Sequence, residues 1–254
     1  MALYTDGIST IQDLANQDSS VLSTAQTENI NLSEKLTLAQ QDLGIEITTL
    51  LQRSNTYDWE FWLQPVPQLN NIVVTPPLQL WHVFHTLQLV YQDVYFNQLN
   101  DRYKAKRDQF QQLADGAMQK LIQAGLGIAA NPIPQAAPPT LSSIPGGQPA
   151  ETYYVSTSWL NAQDQEGEAS DSACLAVAAG NALAAQPVNP PANATGWNVY
   201  AGLTNTTLIL QNPTPLAMDQ VWVQAGPVST VGQAPGSGQA PDYLRALPRV
   251  MQRG

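Results

Sequence analysis

His82 and His85 are the only histidines in a chain of 254 residues. A separation of three places both rings on one side of a helix, as a metal-binding pair requires. The surrounding segment has no Glu and no HExxH pattern, and the neighbours Trp81 and Phe84 are aromatic. Aromatic packing is therefore the favoured interpretation. Because no acid is placed to orient either ring, we also expect no nucleophile that uses a histidine base.

Glu166 and Glu168, in "NAQDQEGEASD", are the closest approach to a pair of catalytic carboxylates. The "DQEGE" core is typical of a turn, so we expect both acids to be solvated charges at a loop tip. A calcium loop would alternate its oxygen ligands more regularly. The chain has no GxGxxG motif after a strand and no P-loop. The sequence therefore predicts neither an enzyme nor a bound cofactor.

Cys174 is the only cysteine of the chain. A single thiol excludes an intramolecular disulfide and a cysteine-rich metal site. Free cysteines are most often small buried apolar residues, and we expect Cys174 to be one.

A cationic cluster lies in "NDRYKAKRDQF", which holds four of the ten Lys and Arg residues of a chain with net charge −10. The acidic balance argues against a protein that binds nucleic-acid phosphates. Helical spacing from Tyr103 aligns Arg107 with the apolar stripe of the helix and places the other three bases off that stripe. This spacing predicts that most of the cluster is the solvated start of a helix. The alternative is a contact with a neighbouring copy or with an acidic partner. The contact candidates are Arg102, Lys104, Lys106 and Arg107.

A second group of bases closes the sequence, where residues 245–254 carry three arginines and no acid. A Gly, Pro and Ser-rich tether precedes this segment. Apolar anchors among arginines are typical of a docking peptide, which could bind its own domain, a neighbouring copy or a different protein, or stay disordered. The candidate docking residues are Tyr243, Leu244, Arg245, Leu247, Arg249, Val250 and Arg253.

Hydrophobic periodicity predicts that helices make up residues 1–130. The expected helices are Thr10 to Gln17, an apolar repeat from Leu32 to Leu51 capped by Asn31 or Ser33, about 22 residues from Pro76, and a last helix ending at Gly125. A proline-containing loop is expected from Ser54 to Thr75. Short connections between the later helices favour a small antiparallel bundle.

Composition changes after residue 130, since residues 121–244 contain no Lys or Arg. We expect a proline-rich linker at 131–149 and a small antiparallel β-sandwich at 150–226, where five strand-like runs are bounded by Gly, Asn, Asp or Pro. Residues 227–254 would form the flexible tether and the docking segment. The predicted fold class is a multidomain α + β protein: an N-terminal helical bundle, a β-sandwich and an extended C-terminal tail.

Targeting signals are missing from the sequence. Its first residues, "MALYTDGISTIQD", lack the basic start and apolar core of a signal peptide. No window reaches the roughly 18 apolar residues of a membrane span. We therefore expect a protein made in the cytoplasm that does not enter a membrane.

The run "NDRYKAKRDQFQQLADGAMQKLIQAGLGIAANPIP", preceded by a long apolar helix, resembles the head-to-tail connector, or adaptor, proteins of tailed bacteriophages. The resemblance covers roughly residues 1–135. The second half, with "TYYVSTSWLNAQDQEGEASD" and "GWNVYAG", resembles fibronectin type III-like or immunoglobulin-like domains appended to phage structural proteins. The resemblance implies that Tyr154, Trp197 and Tyr200 are core aromatics. The absence of a cysteine pair favours the fibronectin-like form.

The resemblance implies a homo-oligomeric ring, typically of about twelve copies, beneath the portal protein in the neck of the virion. Such a ring continues the DNA channel without sequence-specific binding and joins the capsid to the next neck or tail-completion protein. The implied partners are other copies of the chain, the portal and that protein; the implied location is the virion neck after synthesis in the host cytoplasm. There, Asp242 to Gly254 would reach the portal. The alternative is a phage-surface binding module whose sandwich recognises carbohydrate or a host receptor.

Overall fold

The structure, a computed structural model, describes residues 1–54, 67–99 and 101–245. Most of the loop predicted after Ser54 lies outside these residues. The described chain has a mixed α + β fold with five α-helices and three antiparallel sheets. It divides into two compact units. A helical unit comprises Gly7–Ala130 and the segment from Pro241, and a β unit comprises Met1–Asp6 and Asn131–Ala240.

The helical unit contains the four helices predicted from periodicity and one short helix that was not predicted. No helix in the described ranges is long and apolar enough to cross a membrane. The helices are α1 Ile11–Gln17, α2 Val21–Glu28, α3 Leu32–Ser54, α4 Pro76–Gln98 and α5 Asp101–Ala124.

Local side-chain chemistry explains where these helices begin and end. Thr10 and Asp13 form a capping box at the start of α1. Of the two caps considered for α3, Asn31 is the one used, since its Oδ1 accepts hydrogen bonds from the backbone N–H groups of Ser33 and Glu34. Gly125 ends α5 with a φ of +101°, a conformation that favours glycine.

The core of the helical unit is built around α4. Its residues Leu87, Val90, Tyr91 and Val94 are fully buried. Phe110 of α5 stacks on Tyr91 with ring centroids 5.7 Å apart. Stacked aromatic rings of this kind add to the free energy gained from apolar burial. The α4 and α5 helices are therefore held together by side chains with little freedom to rearrange.

A small two-stranded sheet also belongs to the helical unit. Strand β1, Leu126–Ile128, pairs antiparallel with strand β9, Asp242–Leu244. On its other side the carbonyl of Gly127 accepts a hydrogen bond from the N–H of Val73. The C-terminal segment therefore adds a strand to the end of the helical unit of its own chain.

The β unit contains two antiparallel sheets, with strand orders β4-β3-β6-β7 and β2-β5-β8. Buried residues from both sheets, Trp159 and Trp197 from one and Leu183 and Trp222 from the other, belong to one hydrophobic cluster. The strands are β2 Thr140–Gln148, β3 Glu151–Asn161, β4 Ala173–Val177, β5 Asn181–Gln186, β6 Ala194–Gly202, β7 Ile209–Leu210 and β8 Trp222–Val223.

Residues 131–149, expected as a linker, contribute to this cluster. Ile133 and Ala136 are 1% and 4% exposed within it, and Thr140–Gln148 forms strand β2. Of the three aromatics expected in the core, Trp197 and Tyr200 are fully buried and Tyr154 is half-buried.

The expectation that Cys174 is buried is wrong, because its side chain is exposed. Strand β4 lies at the edge of its sheet and alternates between the core and the solvent. Val177 lies on the inward face, while Cys174 and Ala176 lie on the outward face. The thiol therefore points to solvent although its neighbours along the strand pack inward.

Candidate functional site

Lys106 of the cationic cluster is held inside the helical unit. Its Nζ donates hydrogen bonds to Asp18 Oδ2 at 2.7 Å, Ser20 Oγ at 2.6 Å and Tyr91 Oη at 3.0 Å. The side chains of Asp18 and Lys106 are 9% and 27% exposed. The expectation that Lys106 projects away from the packed face is therefore wrong. Lys106 Nζ lies 4.7 Å from the centre of the Tyr91 ring and reaches the turn between α1 and α2.

Hydrogen bonding within this network decides the charge of its members. Burial by itself would raise the pKa of Asp18, but hydrogen bonds from Lys106, Tyr91 and Ser20 outweigh it and lower the pKa to about 2. Burial would likewise lower the pKa of Lys106, and its hydrogen bonds to Asp18 and Tyr91 raise the pKa instead. The pair is therefore ionised at neutral pH and links α5 to the α1–α2 turn.

The other three bases of the cluster differ in their surroundings. Arg107 pairs with the adjacent Asp108, and its guanidinium carbon lies 5.3 Å from the centre of the Tyr95 ring. Arg102 and Lys104 are exposed. The cluster is therefore not one surface, because Lys106 and Arg107 are half-buried and Arg102 and Lys104 are exposed.

The C-terminal candidates are placed in part on the helical unit. Tyr243 and Leu244 lie in β9 opposite Gly127 and Leu126 of β1. Leu247, Arg249, Val250 and Arg253 lie outside the described residues. Residues 242–245 therefore dock on the helical unit of their own chain, which is one of the arrangements that the sequence left open.

Arg245 supplies a charge that α5 lacks. The last turn of α5 has no basic residue, and Arg245 Nε donates a hydrogen bond to the carbonyl of Ala124, the last residue of the helix, at 3.1 Å. The unpaired carbonyls and the negative end of the helix dipole favour a cation at this position. Arg245 therefore caps α5 from a distance of 121 residues along the chain.

Glycines in "GLGI" permit this approach of the C-terminal segment. A Cβ atom on Gly125 would lie 2.9 Å from Arg245 Cγ, and one on Gly127 would lie 2.8 Å from Thr75 Cγ2 and 3.0 Å from Pro241 Cβ. The distances of 2.9 and 2.8 Å are shorter than real Cβ contacts allow. The motif that ends α5 is therefore also the surface on which β9 and Arg245 pack.

The two histidines have different roles. His82 is buried, and its Nε2 lies 3.0 Å from the carbonyl of Leu36. Because a carbonyl only accepts, Nε2 carries the proton, and Ser9 Oγ donates to Nδ1 at 2.6 Å. His85 Nε2 lies 3.1 Å from Asp42 Oδ2, so the expectation that no acid orients either ring is wrong for His85. Within the described ranges, no group of three or more His, Cys, Asp or Glu residues could hold a metal ion.

Acidification is expected to destabilise the protein through His82. Burial lowers the pKa of His82 to about 4, below its ordinary value of 6.5. Between these two pKa values, His82 is protonated in the unfolded chain and neutral in the folded protein. Its contribution to the free energy of unfolding is therefore complete above pH 6.5 and is lost as the pH falls towards 4. Lowering the pH from 7.5 to 5 should therefore reduce the free energy of unfolding by about 2 kcal/mol, since each pKa unit corresponds to about 1.4 kcal/mol.

Urea unfolding across this pH range measures the effect in the wild type, His82→Gln and His85→Gln. The His82→Gln variant should lose this part of the pH dependence, and His85→Gln should keep it. Equal pH slopes in the wild type and His82→Gln would contradict the assignment.

Glu166 is an anchored carboxylate, so the expectation of a solvated loop-tip charge is wrong for this residue. It accepts hydrogen bonds from the hydroxyl groups of Ser158 and Tyr200 and from Asn198 Nδ2 at 3.3 Å. Ser158 and Tyr200 are fully buried. Burial, together with the hydrogen bond to Glu166, raises the pKa of Tyr200 and keeps its hydroxyl protonated as a donor. The arrangement fastens the loop after β3 onto the β3–β6 sheet.

Comparisons with protein-family models, with curated proteins and with solved structures found no match. Functional conclusions therefore rest on the residues and contacts of this chain. The contacts of Lys106 and Glu166 are the features that sequence reasoning missed. In the sequence, Lys106 and Glu166 are visible only as charged residues among polar neighbours. This pattern does not identify hydrogen-bond partners that lie far away along the chain.

Proposed function

We propose that the protein is a structural head-to-tail adaptor of a tailed bacteriophage. Its copies form a ring beneath the portal, with about twelve as the number that the resemblance implies. The ring continues the DNA channel and joins the capsid to the next neck or tail protein. The role is structural rather than catalytic, and the chain is arranged as a helical bundle, a fibronectin-like β-sandwich and a C-terminal docking tail.

The observation that carries the proposal is the anchoring of the C-terminal segment on the helical unit. Residues after Arg245 start from a defined point, the end of α5, where β9 and Arg245 are fixed. Their sequence, "ALPRVMQRG", contains Arg249 and Arg253 and no acid. A short basic and apolar segment that starts from a fixed point suits docking on an acidic groove of a partner, which for an adaptor is the portal.

Charge distribution gives a second line of support. A ring through which DNA slides should present few bases to its channel, because contacts between lysine and phosphate retard passage. In the helical unit Lys106 pairs with Asp18 and Arg107 with Asp108, while Arg102, Lys104 and Lys120 are exposed. The β unit contains no Lys or Arg among residues 131–240. The β unit is therefore the part of the chain suited to line a neutral or acidic passage.

The arrangement of the β unit supports the sandwich interpretation. Its two sheets contribute side chains to one hydrophobic cluster, as the facing sheets of a sandwich do. The alternative function, a module that binds carbohydrate or a receptor, receives less support. Every aromatic side chain of this unit is buried or half-buried, so none is presented as an open platform for a ligand.

Removing residues 246–254 is expected to weaken attachment to the portal strongly without unfolding the protein. Truncation after Arg245 keeps β9 and the cap of α5, so the melting temperature should stay unchanged. Binding to purified portal rings should weaken by roughly thirtyfold or more, as for the loss of one hot-spot residue. Electron microscopy and co-sedimentation of the full-length and truncated chains with the rings measure the difference.

A double variant, Arg249→Lys with Arg253→Lys, provides the matched control. It keeps the length and the positive charge of the C-terminal segment and should retain portal attachment. Unchanged attachment of the truncated chain would show that the tail is not the anchor. A full-length protein that remains monomeric and ignores the portal would overturn the adaptor proposal itself.

A further inference from the structure

Gly116 occupies an unusual position in the middle of α5. Glycine is less favourable than alanine in a helix interior, so a packing reason is expected for it. A Cβ atom on Gly116 would meet no atom within 4 Å. None of the described residues therefore requires glycine at this position, and the space above the helix is open.

An apolar groove surrounds Gly116, between the first half of α4 and the second half of α5. Leu80 and Phe84 are half-buried in it, and Leu113 is 39% exposed. The groove is lined by Pro77, Leu80, Phe84, Leu113, Gly116 and Lys120. Its floor is apolar, and Lys120 provides its one cation.

The opposite end of the same helical hairpin presents apolar side chains to solvent. Phe96 is 60% exposed and Leu99 is 73% exposed. Leu99 also adopts a φ of +50°, which is uncommon for a residue with a bulky side chain. Exposed apolar groups and strained backbone together are typical of a binding surface. Asp101, exposed at the start of α5, places a negative charge beside them, and the exposed bases Arg102 and Lys104 follow it on the helix.

We propose that the groove around Gly116 binds the hairpin tip, Phe96 and Leu99, of a second copy of this chain. Leu80 and Phe96 are 16 residues apart on α4, or about 24 Å at 1.5 Å per residue. The tip therefore cannot fill the groove of its own chain. Asp101 at the tip and Lys120 at the groove carry opposite charges, which suits their meeting across the contact.

The contact joins two different surfaces and so repeats head to tail. A heterologous contact of this kind closes into a ring when its rotation permits. Glycine at position 116 lets an incoming side chain approach the backbone of α5. The inference rests on the self-association in the proposed adaptor function and names the surfaces that would produce it.

Filling the groove tests the inference. Gly116→Leu adds a side chain where the chain itself has open space, so it should fold and yet weaken self-association at least about tenfold in sedimentation velocity. Gly116→Ala should raise the melting temperature by about 3 °C, as expected for a better helix former. A higher melting temperature in Gly116→Ala, with weaker assembly in Gly116→Leu, separates a role in binding from a role in folding.

Changes at the tip give an independent test. Leu99→Asp should weaken self-association by a similar factor. Ile45→Asp is the matched control, because Ile45 is 67% exposed on α3, outside both surfaces, and its replacement should leave association unchanged. Lys120→Asp alone should weaken association, and the double variant Asp101→Lys with Lys120→Asp should restore it.

The outcomes distinguish this inference from the adaptor proposal. If Gly116→Leu and Leu99→Asp form rings as well as the wild type does, the inference is overturned and the adaptor proposal stands. Loss of portal attachment with self-association intact would assign the groove to the portal and would also overturn it. If the wild type forms no ring with or without portal rings, both fail.

Discussion

Lys106→Met is expected to lower the free energy of unfolding by about 3 kcal/mol. Removing one member of a buried ion pair leaves the other charge without compensation, at a cost of about 3 to 5 kcal/mol. The lower value applies because Lys106 is 27% exposed, whereas the Asp18 side chain is 9% exposed. Tyr91 and Ser20 would keep their contacts with Asp18 but could not neutralise it. Urea unfolding at pH 7 measures the difference.

Lys104→Met is the matched control for this variant. It makes the same lysine-to-methionine change two residues earlier, at an exposed position. The free energy of unfolding should change by no more than about 0.5 kcal/mol. Equal losses in the two variants would contradict the assigned network.

The pH dependence of the loss provides a further check. The folded pKa of Asp18, about 2, lies below its ordinary 3.8, so its contribution is complete above pH 3.8 and disappears as the pH falls through 2. The stabilities of the wild type and Lys106→Met should therefore converge over this range. A constant difference down to pH 2 would show that the lysine acts through packing and not through its charge.

Glu166→Ala is expected to destabilise the β unit by about 3 kcal/mol. The substitution removes the acceptor shared by Ser158, Tyr200 and Asn198, and each buried donor left unpaired costs about 1 to 3 kcal/mol. Water that enters the vacated space would offset part of the total. Because the chain divides into two compact units and both contain tryptophan, the urea transition should be followed by a signal specific to the β unit, such as hydrogen exchange of the backbone amides of β3 and β6.

Glu168→Ala is the comparison for this variant. Burial raises the pKa of Glu168, the N-terminal ammonium partly offsets this, and the nearby Asp6 and Asp171 raise the pKa further, so the charged form is disfavoured in the folded protein. Its removal should therefore be neutral or slightly stabilising. A larger loss in Glu168→Ala than in Glu166→Ala would contradict the assignment of Glu166 as the anchored carboxylate.

Helices were predicted well where the apolar period was long. The helices α3, α4 and α5 repeat apolar residues over several turns, and cap residues such as Asn31 and Gly125 mark their ends. The α2 helix was missed because "VLSTAQTE" is short and rich in Ser and Thr. Only Val21 and Ala25 form its buried stripe, which is too little for a periodic signal.

Two strands of the β unit were missed, for opposite reasons. The composition of "TLSSIPGGQ" predicts a linker, yet β2 lies at the edge of its sheet, and Pro145 falls where its register with β5 shifts. Edge strands and irregular positions are where a sheet tolerates proline. The β5 sequence "NALAAQ" is rich in alanine, which favours helix, but four of its side chains are buried in the core. Tertiary packing overrides local preference in both strands.

The contacts of the candidate sites could not be predicted from local sequence. Lys106 meets Asp18 across 88 residues and Tyr200 meets Glu166 across 34. Helical spacing from Tyr103 gives only the direction in which each Cβ atom points. The Lys106 side chain is long enough to bend from that direction towards Asp18. The partner of a charged group is therefore set by the fold, while the identity of the group is set by the sequence.

The division of the chain between its units has a consequence for biosynthesis. Tyr4 is buried in the β unit, and Asp6 accepts a hydrogen bond from the N–H of Gln135 across 129 residues. At about 5 to 20 residues per second, a ribosome needs roughly 6 to 26 seconds to make the chain between them. The helical unit in turn is incomplete until β9 has been made, although its last helix ends at Ala124. Neither unit can therefore be completed on the ribosome before the chain has been translated to about residue 240.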